Sequence, residues 1–286
     1  MVLAVLAVLA ALAVLVLVLA ARGHARETFD TPFPRVFWTF WDNPEVPGVV
    51  KQCMATWAKH NPGFKTVLLH PGNLKQYVPD LADEVLNHPN FNDSPQRLSD
   101  LARLLVLARH GGYWVDASVI MTAPLSTWLG NDATHEFAAF YLQGFTKTTP
   151  VIESWFFACA PNSPFVARWR DEFLRLKDYG SVGEYVQSVR DLGVDFSGID
   201  GPEYLAIHVA NQRVLVDYPT DTLKLHKAED SAYKHMVFAN WANQQGVERL
   251  CETMNTPEGS PFIKLRGLER RIVDEDPRLK QCILGA

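Results

Sequence analysis

Two short stretches hold the residues whose types and spacing can do chemistry. The first is Arg97-Leu98-Ser99-Asp100-Leu101-Ala102-Arg103; the second, after Gly111-Gly112, is Tyr113-Trp114-Val115-Asp116-Ala117-Ser118. Carboxylates accept hydrogen bonds from several hydroxyls at once, and a guanidinium donates in a fixed planar fork, so Asp100, Arg103 and Asp116 suit a polyhydroxylated ligand. Taken alone, Asp100 and Arg103 would be an i, i+3 surface ion pair worth only a few tenths of a kcal/mol. Joined to the glycine pair and Asp116, they read as one site.

Simple elements position these residues. Apolar Leu98, Leu101, Leu105 and Ala108 recur at helical spacing from about Pro95 to His110, which sets Arg97, Asp100 and Arg103 on another face. Gly111-Gly112 ends that helix, because glycine accepts the left-handed conformation of a helix C-cap. Tyr113 to Val115 is then a short strand delivering Asp116 at its C-terminal end, where open α/β sheets bind ligands. Upstream, Arg35 to Trp41 reads as a strand, about Val49 to Lys59 as a helix stopped by Asn61-Pro62-Gly63, and Phe64 to Leu69 as a second strand. This β-α-β opening builds a parallel sheet with helices on its faces. Glu136 to Tyr141 and Ser154 to Ala160 are further strands; Phe165 to Leu176 and Val182 to Leu192 are further helices.

The SD-x-x-R helix, Gly-Gly turn and aspartate-ended strand resemble the donor site of sugar transferases with a DXD motif. The similarity is to capsular polysaccharide synthesis proteins and the glycosyltransferase family 32 group, and more distantly to clostridial glucosylating toxins. The opening Phe33-Pro34-Arg35-Val36-Phe37-Trp38-Thr39-Phe40-Trp41 is similar to the I-P-K-I-I-W-x-x-W start of the same families. The resemblance implies a GT-A fold, that is, a Rossmann-like, nucleotide-sugar-binding α/β domain with a mostly parallel sheet. It also implies retaining transfer of a hexose or N-acetylhexosamine from a nucleotide diphosphate sugar, UDP before GDP, to a glycan or glycolipid hydroxyl. Front-side attack assisted by the diphosphate is the mechanism it suggests, and no covalent nucleophile is evident.

By this resemblance Asp100 and Arg103 bind the donor sugar. Asp116 binds ribose or sugar and helps to hold a diphosphate-bound Mn2+ or Mg2+. Ser118 stands where the pattern has its second aspartate, which removes one anionic ligand from a hard cation and leaves the metal requirement open. Its hydroxyl is expected to ligate weakly or to orient a phosphate. Charge developing on the departing diphosphate must still be met by a metal or by fixed cations. His226 and Lys227 are the candidates, with His226 also a metal ligand beside Asp116; the plainer alternative is a strand-end histidine next to a solvated lysine. Trp41, and after it Trp38, is expected to stack on the base; strand alternation puts the two on opposite faces, and core packing is the alternative for both. Glu203, in the Gly201-Pro202-Glu203 turn, and Glu153, Trp155 and Asp42 are further pocket candidates.

Bulk properties fit one catalytic domain: 286 residues, 48% hydrophobic and 21% charged. A net charge of -5 lacks the cationic excess that nucleic-acid binding needs. Met1 to Ala20 is an Ala/Val/Leu run without charge, Gly or Pro, long enough at about 1.5 Å per residue to cross a hydrocarbon core of roughly 30 Å. The expected organisation is a membrane anchor over 1–21, a linker over 22–33 and the transferase domain over 34–286. The expected location is a Golgi or other secretory-pathway membrane with a lumenal catalytic domain, although Arg22 and Arg26 after the span favour the opposite orientation. Cys53, Cys159, Cys251 and Cys282 are compatible with two disulfides or with four buried thiols. The rival function is a catalytically inactive sugar-binding protein or a membrane-tethered scaffold.

Overall fold

Strand β1 (Val36–Phe40) is the organising element, buried from Phe37 onward, and it pairs in parallel with β2 (Lys65–Leu69) on one side and β3 (Gly112–Val115) on the other. The computed structural model describes residues 33–129 and 135–285. With β4 (Val119–Met121), β5 (Phe137–Leu142), β6 (Val151–Cys159), β7 (Leu223–Lys227) and β8 (Phe262–Lys264), the strands form two sheets. The six-stranded sheet has the order β2-β1-β3-β6-β5-β7, and β4 pairs with β8 in a two-stranded one. Of the six, only β6 runs against its neighbours, antiparallel to both β3 and β5, so the sheet is mostly parallel. Every residue of β6 is buried, as a central strand covered on both faces requires. It begins at Val151 rather than Ser154: Glu153 interrupts the apolar run in sequence, yet it is buried within the strand.

The Pro95–His110 helix has the expected bounds, and its ends follow from local chemistry. Ser94 caps it by accepting from the Arg97 N–H, Pro95 occupies the first turn, and the Gly111 N–H returns to Leu107 O at 2.9 Å. Gly111 sits at φ 61°, ψ -161°, a region reserved for glycine rather than the left-handed helical cap. A Cβ there would lie 2.5 Å from Pro161 N, so the turn admits no side chain. This fixes the angle at which β3 leaves the helix and therefore where Asp116 arrives.

The C-terminal residues complete the site from the other side. Val46, Val49, Val50 and Cys53, in and just before the Gly48–His60 helix, pack with Ile263, Leu265, Val273, Leu279 and Ile283. The β4–β8 pairing puts Val119 opposite Lys264, and the Leu265 N–H bonds to Ser118 O at 3.3 Å. Cys251 and Cys282 form a disulfide between two of the C-terminal helices, while Cys53 and Cys159 are buried thiols, so the cysteines follow neither of the two expected arrangements in full.

The expected fold class needs one correction. The α/β class and the mostly parallel sheet are present, but no helix among the described residues is long and apolar enough to cross a membrane. The longest of these, Pro95–His110, has 16 residues and spans about 24 Å, short of a hydrocarbon core of roughly 30 Å; it also carries charge. The expected anchor over 1–21 lies outside the described residues, as does the linker apart from Phe33. The membrane partner and the Golgi or secretory-membrane placement rested on that helix, and nothing among the described residues supports them.

Candidate active site

Asp116 leaves β3 with its N–H bonded to Trp155 O at 2.8 Å, so β6 fixes its backbone. Its Oδ1 accepts from Trp114 Nε1 at 3.0 Å and from an Arg103 Nη at 3.4 Å, while Oδ2 accepts from Lys264 Nζ at 2.7 Å. Arg103 also donates to Ser154 O at 2.9 Å, Ser154 Oγ at 2.7 Å and Ser99 Oγ at 3.1 Å, and pairs with Asp100 Oδ1 at 3.0 Å. Its guanidinium lies over Trp114, 4.9 Å from the ring centroid. Arg103 is 5% exposed and Asp100 8%, so this is a desolvated network and not a surface ion pair.

Burial and charge tune each group differently. Burial pushes the Asp116 carboxyl up, but the Lys264 and Arg103 charges, with hydrogen bonds from Lys264 and Trp114, outweigh it and hold the carboxyl below the usual aspartate range. Asp100 is pushed up to about 6 by burial, with Arg103 opposing and Asp116 adding. Glu153 is pushed up to about 7, chiefly by burial, against the opposing charge of Lys264. His208 is held down to about 4 by burial and then by Arg103, which keeps it neutral.

These groups line a cavity of about 540 Å³. Asp100, Arg103, Asp116 and Ser118 all face it, as do Trp41, Asp42, Glu153 and Trp155. Trp41 presents its ring beneath the Arg270 guanidinium, 5.3 Å from the centroid. Trp38 does not reach the cavity: its Nε1 donates to Gly111 O at 3.0 Å and its ring stacks on His110. Packing against the end of the Pro95–His110 helix is its role. Glu203 also stays outside and lies near Gly183, while its neighbours Tyr204 and Leu205 line the cavity.

His226 and Lys227 are elsewhere. On β7, His226 packs edge-on against Trp128 and beside Phe140, and burial followed by the Lys224 charge lowers its pKa; Lys227 faces Asp230 at 3.8 Å. The cations that do line the cavity with Arg103 are Lys264, Arg266 and Arg270, none of them singled out by the sequence reading. The available signal was one lysine inside the apolar run Phe262-Ile263-Lys264-Leu265, followed directly by Arg266.

A hard divalent cation does not fit the donor set as it stands. The Lys264 ammonium stands 2.7 Å from Asp116 Oδ2, so a dication there would meet a like charge, and Ser118 Oγ donates its proton to Leu265 O at 2.8 Å while accepting from Lys264 Nζ at 3.2 Å. Among the described residues no group of three or more His, Cys, Asp and Glu side chains is placed to hold a metal.

Residues 24–186 match the family described as capsular polysaccharide synthesis protein. The chain belongs to that family. Over 156 residues, 49% of this chain and 37% of the relative, it is 26% identical to the O-glycosyltransferase braB of Annulohypoxylon truncatum. The chain thus spans little more than a third of that relative's length. Solved structures similar to it include the PaToxG glycosyltransferase, 15% identical with 89% of this chain and 87% of that chain covered at a TM-score of 0.42. Another is a glycosyltransferase involved in glycosylation of the major capsid of PBCV-1, 10% identical with 86% and 97% covered at a TM-score of 0.43. The capsular polysaccharide synthesis match includes Trp41, Asp100, Arg103, Asp116, Ser118 and Glu153, and it stops before Lys264.

Glu153 gives this capsular polysaccharide synthesis protein a pH signature. Its carboxyl titrates near 7 when folded against an ordinary 4.5, so the folded state binds the extra proton between those values. The Glu153 contribution to stability therefore falls as pH rises through that window, by about 3 kcal/mol at roughly 1.4 kcal/mol per unit. Glu153→Gln is expected to remove the Glu153 contribution, so the variant loses less stability than wild type between pH 5 and pH 8, while the opposing rise from the buried, neutral His208 and His235 is common to both. Urea midpoints at pH 5 and pH 8 check this; an unchanged difference in the variant would reject the assignment.

Proposed function

We propose that this chain transfers a hexose or N-acetylhexosamine from a nucleotide diphosphate sugar, UDP before GDP, to a hydroxyl of a glycan or glycolipid. The observation that carries this reading is one cavity joining buried carboxylates and a guanidinium, suited to sugar hydroxyls, with a group of cations and a tryptophan, suited to a diphosphate and a base. Asp116 Oδ2 accepts only from Lys264 among the described residues, which leaves it a lone pair for a donor hydroxyl. Asp100 offers the same toward the sugar, with Arg103 holding both carboxylates in place.

In the transfer the bond from C1 of the sugar to the diphosphate oxygen breaks, and its electron pair stays on that oxygen. The acceptor oxygen bonds to C1, and the acceptor proton passes to the diphosphate. With attack from the leaving-group face the anomeric configuration is retained. Glu153 favours a second reading of the stereochemistry, because a carboxyl titrating near neutrality is what a general base for inverting displacement requires. The anomeric configuration of the product, read by NMR, decides between them.

Release of free nucleotide from a panel of UDP- and GDP-sugars, with and without Mn2+ or Mg2+, tests the proposal. Binding of a UDP-sugar without turnover under any of these conditions would leave a catalytically inactive sugar-binding protein. Unchanged thermal stability with every nucleotide diphosphate would leave a scaffold, since a ligand of the folded state must stabilise it.

A further inference from the structure

We propose that the Lys264 ammonium, and not a divalent cation, meets the donor diphosphate in this chain, an inference that rests on the glycosyl-transfer reading above. Lys264 Nζ stands 2.7 Å from Asp116 Oδ2 and 3.2 Å from Ser118 Oγ, between the two side chains that correspond to the two aspartates of a DXD motif. A dication on Asp116 would have to displace it.

Ser118 explains why the lysine can sit there. Its hydroxyl proton goes to Leu265 O, so toward Lys264 it acts as an acceptor, and a neutral oxygen beside the ammonium is enough because Asp116 supplies the charge. An ammonium has three N–H donors; two are directed at Asp116 and Ser118, and the third is left for a phosphate oxygen in the cavity that Lys264 lines. Lys264 is 9% exposed, and the Asp116 carboxylate is its counter-charge at 2.7 Å. Of the other C-terminal cations, Arg266 is held by Glu269 and by Asn243 Oδ1 at 2.9 Å, and Arg270 rests over the Trp41 ring, 5.3 Å from its centroid.

In the step itself Lys264 donates a hydrogen bond to the departing diphosphate oxygen as negative charge grows there, and it stays protonated throughout. The arrangement is fixed before the donor binds, which is what makes a charge effective against a developing anion. Asp116 and Ser118 then have a second role, holding the lysine.

The test measures UDP and GDP binding by calorimetry and UDP-glucose turnover, both in EDTA and in Mn2+. Wild-type protein is expected to bind UDP in EDTA with an affinity that Mn2+ changes by less than about twofold. Lys264→Met is expected to weaken UDP binding at least tenfold and to lower kcat about a hundredfold, with Lys264→Arg partly restoring both. Because Lys264→Met strips Asp116 of its partner, a second variant guards against a folding defect: Ser118→Asp combined with Lys264→Ala restores a carboxylate pair, and its UDP binding should become Mn2+-dependent. Loss of wild-type UDP binding in EDTA overturns the proposal, as does wild-type affinity in Lys264→Met. Lys264-dependent UDP binding without turnover of any sugar donor supports the contact and removes the transfer reading. Absence of UDP and GDP binding overturns both.

Discussion

Asp116→Asn is expected to lower donor turnover by two to three orders of magnitude in a protein that still folds, the loss typical of removing one preorganised electrostatic element. The amide has the same shape, so Trp114 Nε1 and Arg103 can still donate to its oxygen. Its NH2 group would then face the Lys264 ammonium, donor against donor, at the position where the carboxylate now accepts at 2.7 Å. Lys264 loses its anchor and the donor loses a hydroxyl acceptor together, so kcat and donor affinity should fall in parallel. The carboxyl is held below the ordinary aspartate value of 3.8, so its stabilising effect is present above that value and lost only as pH falls through the lower folded value. Turnover should accordingly show no Asp116 titration above about pH 5. Nucleotide release from UDP-glucose, with a circular-dichroism melt on the same sample, makes the comparison; wild-type turnover in the variant would remove Asp116 from the site.

How much of this was legible in the sequence depends on how local each signal is. The Pro95–His110 helix was read at its observed bounds because Pro95 and Gly111 mark its ends within the chain itself. Asp100, Arg103, Asp116 and Ser118 meet in one cavity because one helix, one glycine turn and one strand carry all four. Lys264 lies 148 residues from Asp116, and its approach depends on the pairing of β4 with β8, which no periodicity announces. His226 and Lys227 drew attention as late cations, but β7 points the histidine at Trp128. For the tryptophans, alternation separated Trp38 from Trp41 and could not say which face the long helix would cover. Strand direction was equally hidden: an apolar run buried on both faces reads the same either way, so the reversed β6 could be known only from its neighbours.

Arg103 shows how tertiary context changes the meaning of a site residue. As a donor-sugar ligand alone, its replacement by alanine would raise the KM for donor and leave the fold untouched. Instead its guanidinium is buried between Asp100 and Asp116, bonded to Ser154 and Ser99 and stacked on Trp114. Arg103→Ala is therefore expected to cost about 3–5 kcal/mol of stability, the range for removing one partner of a buried ion pair, as well as donor binding. Arg103→Lys should recover little, because a single ammonium cannot replace a fork that reaches both carboxylates and the Ser154 backbone. The cost should also depend on pH. Arg103 is the largest influence opposing burial at Asp100, so without it the Asp100 carboxyl rises above its present value of about 6 and stays neutral further into the working range. Combining Arg103→Ala with Asp100→Asn removes the buried carboxylate that the single variant strands, so the double variant should be more stable than Arg103→Ala alone at pH 8, and the gap should close toward pH 5. Chemical denaturation of the four proteins of that cycle at both pH values measures this directly. Additive losses at pH 8 would mean that the two side chains do not act as a pair, and would return Arg103 to the narrower role of a ligand for the donor sugar.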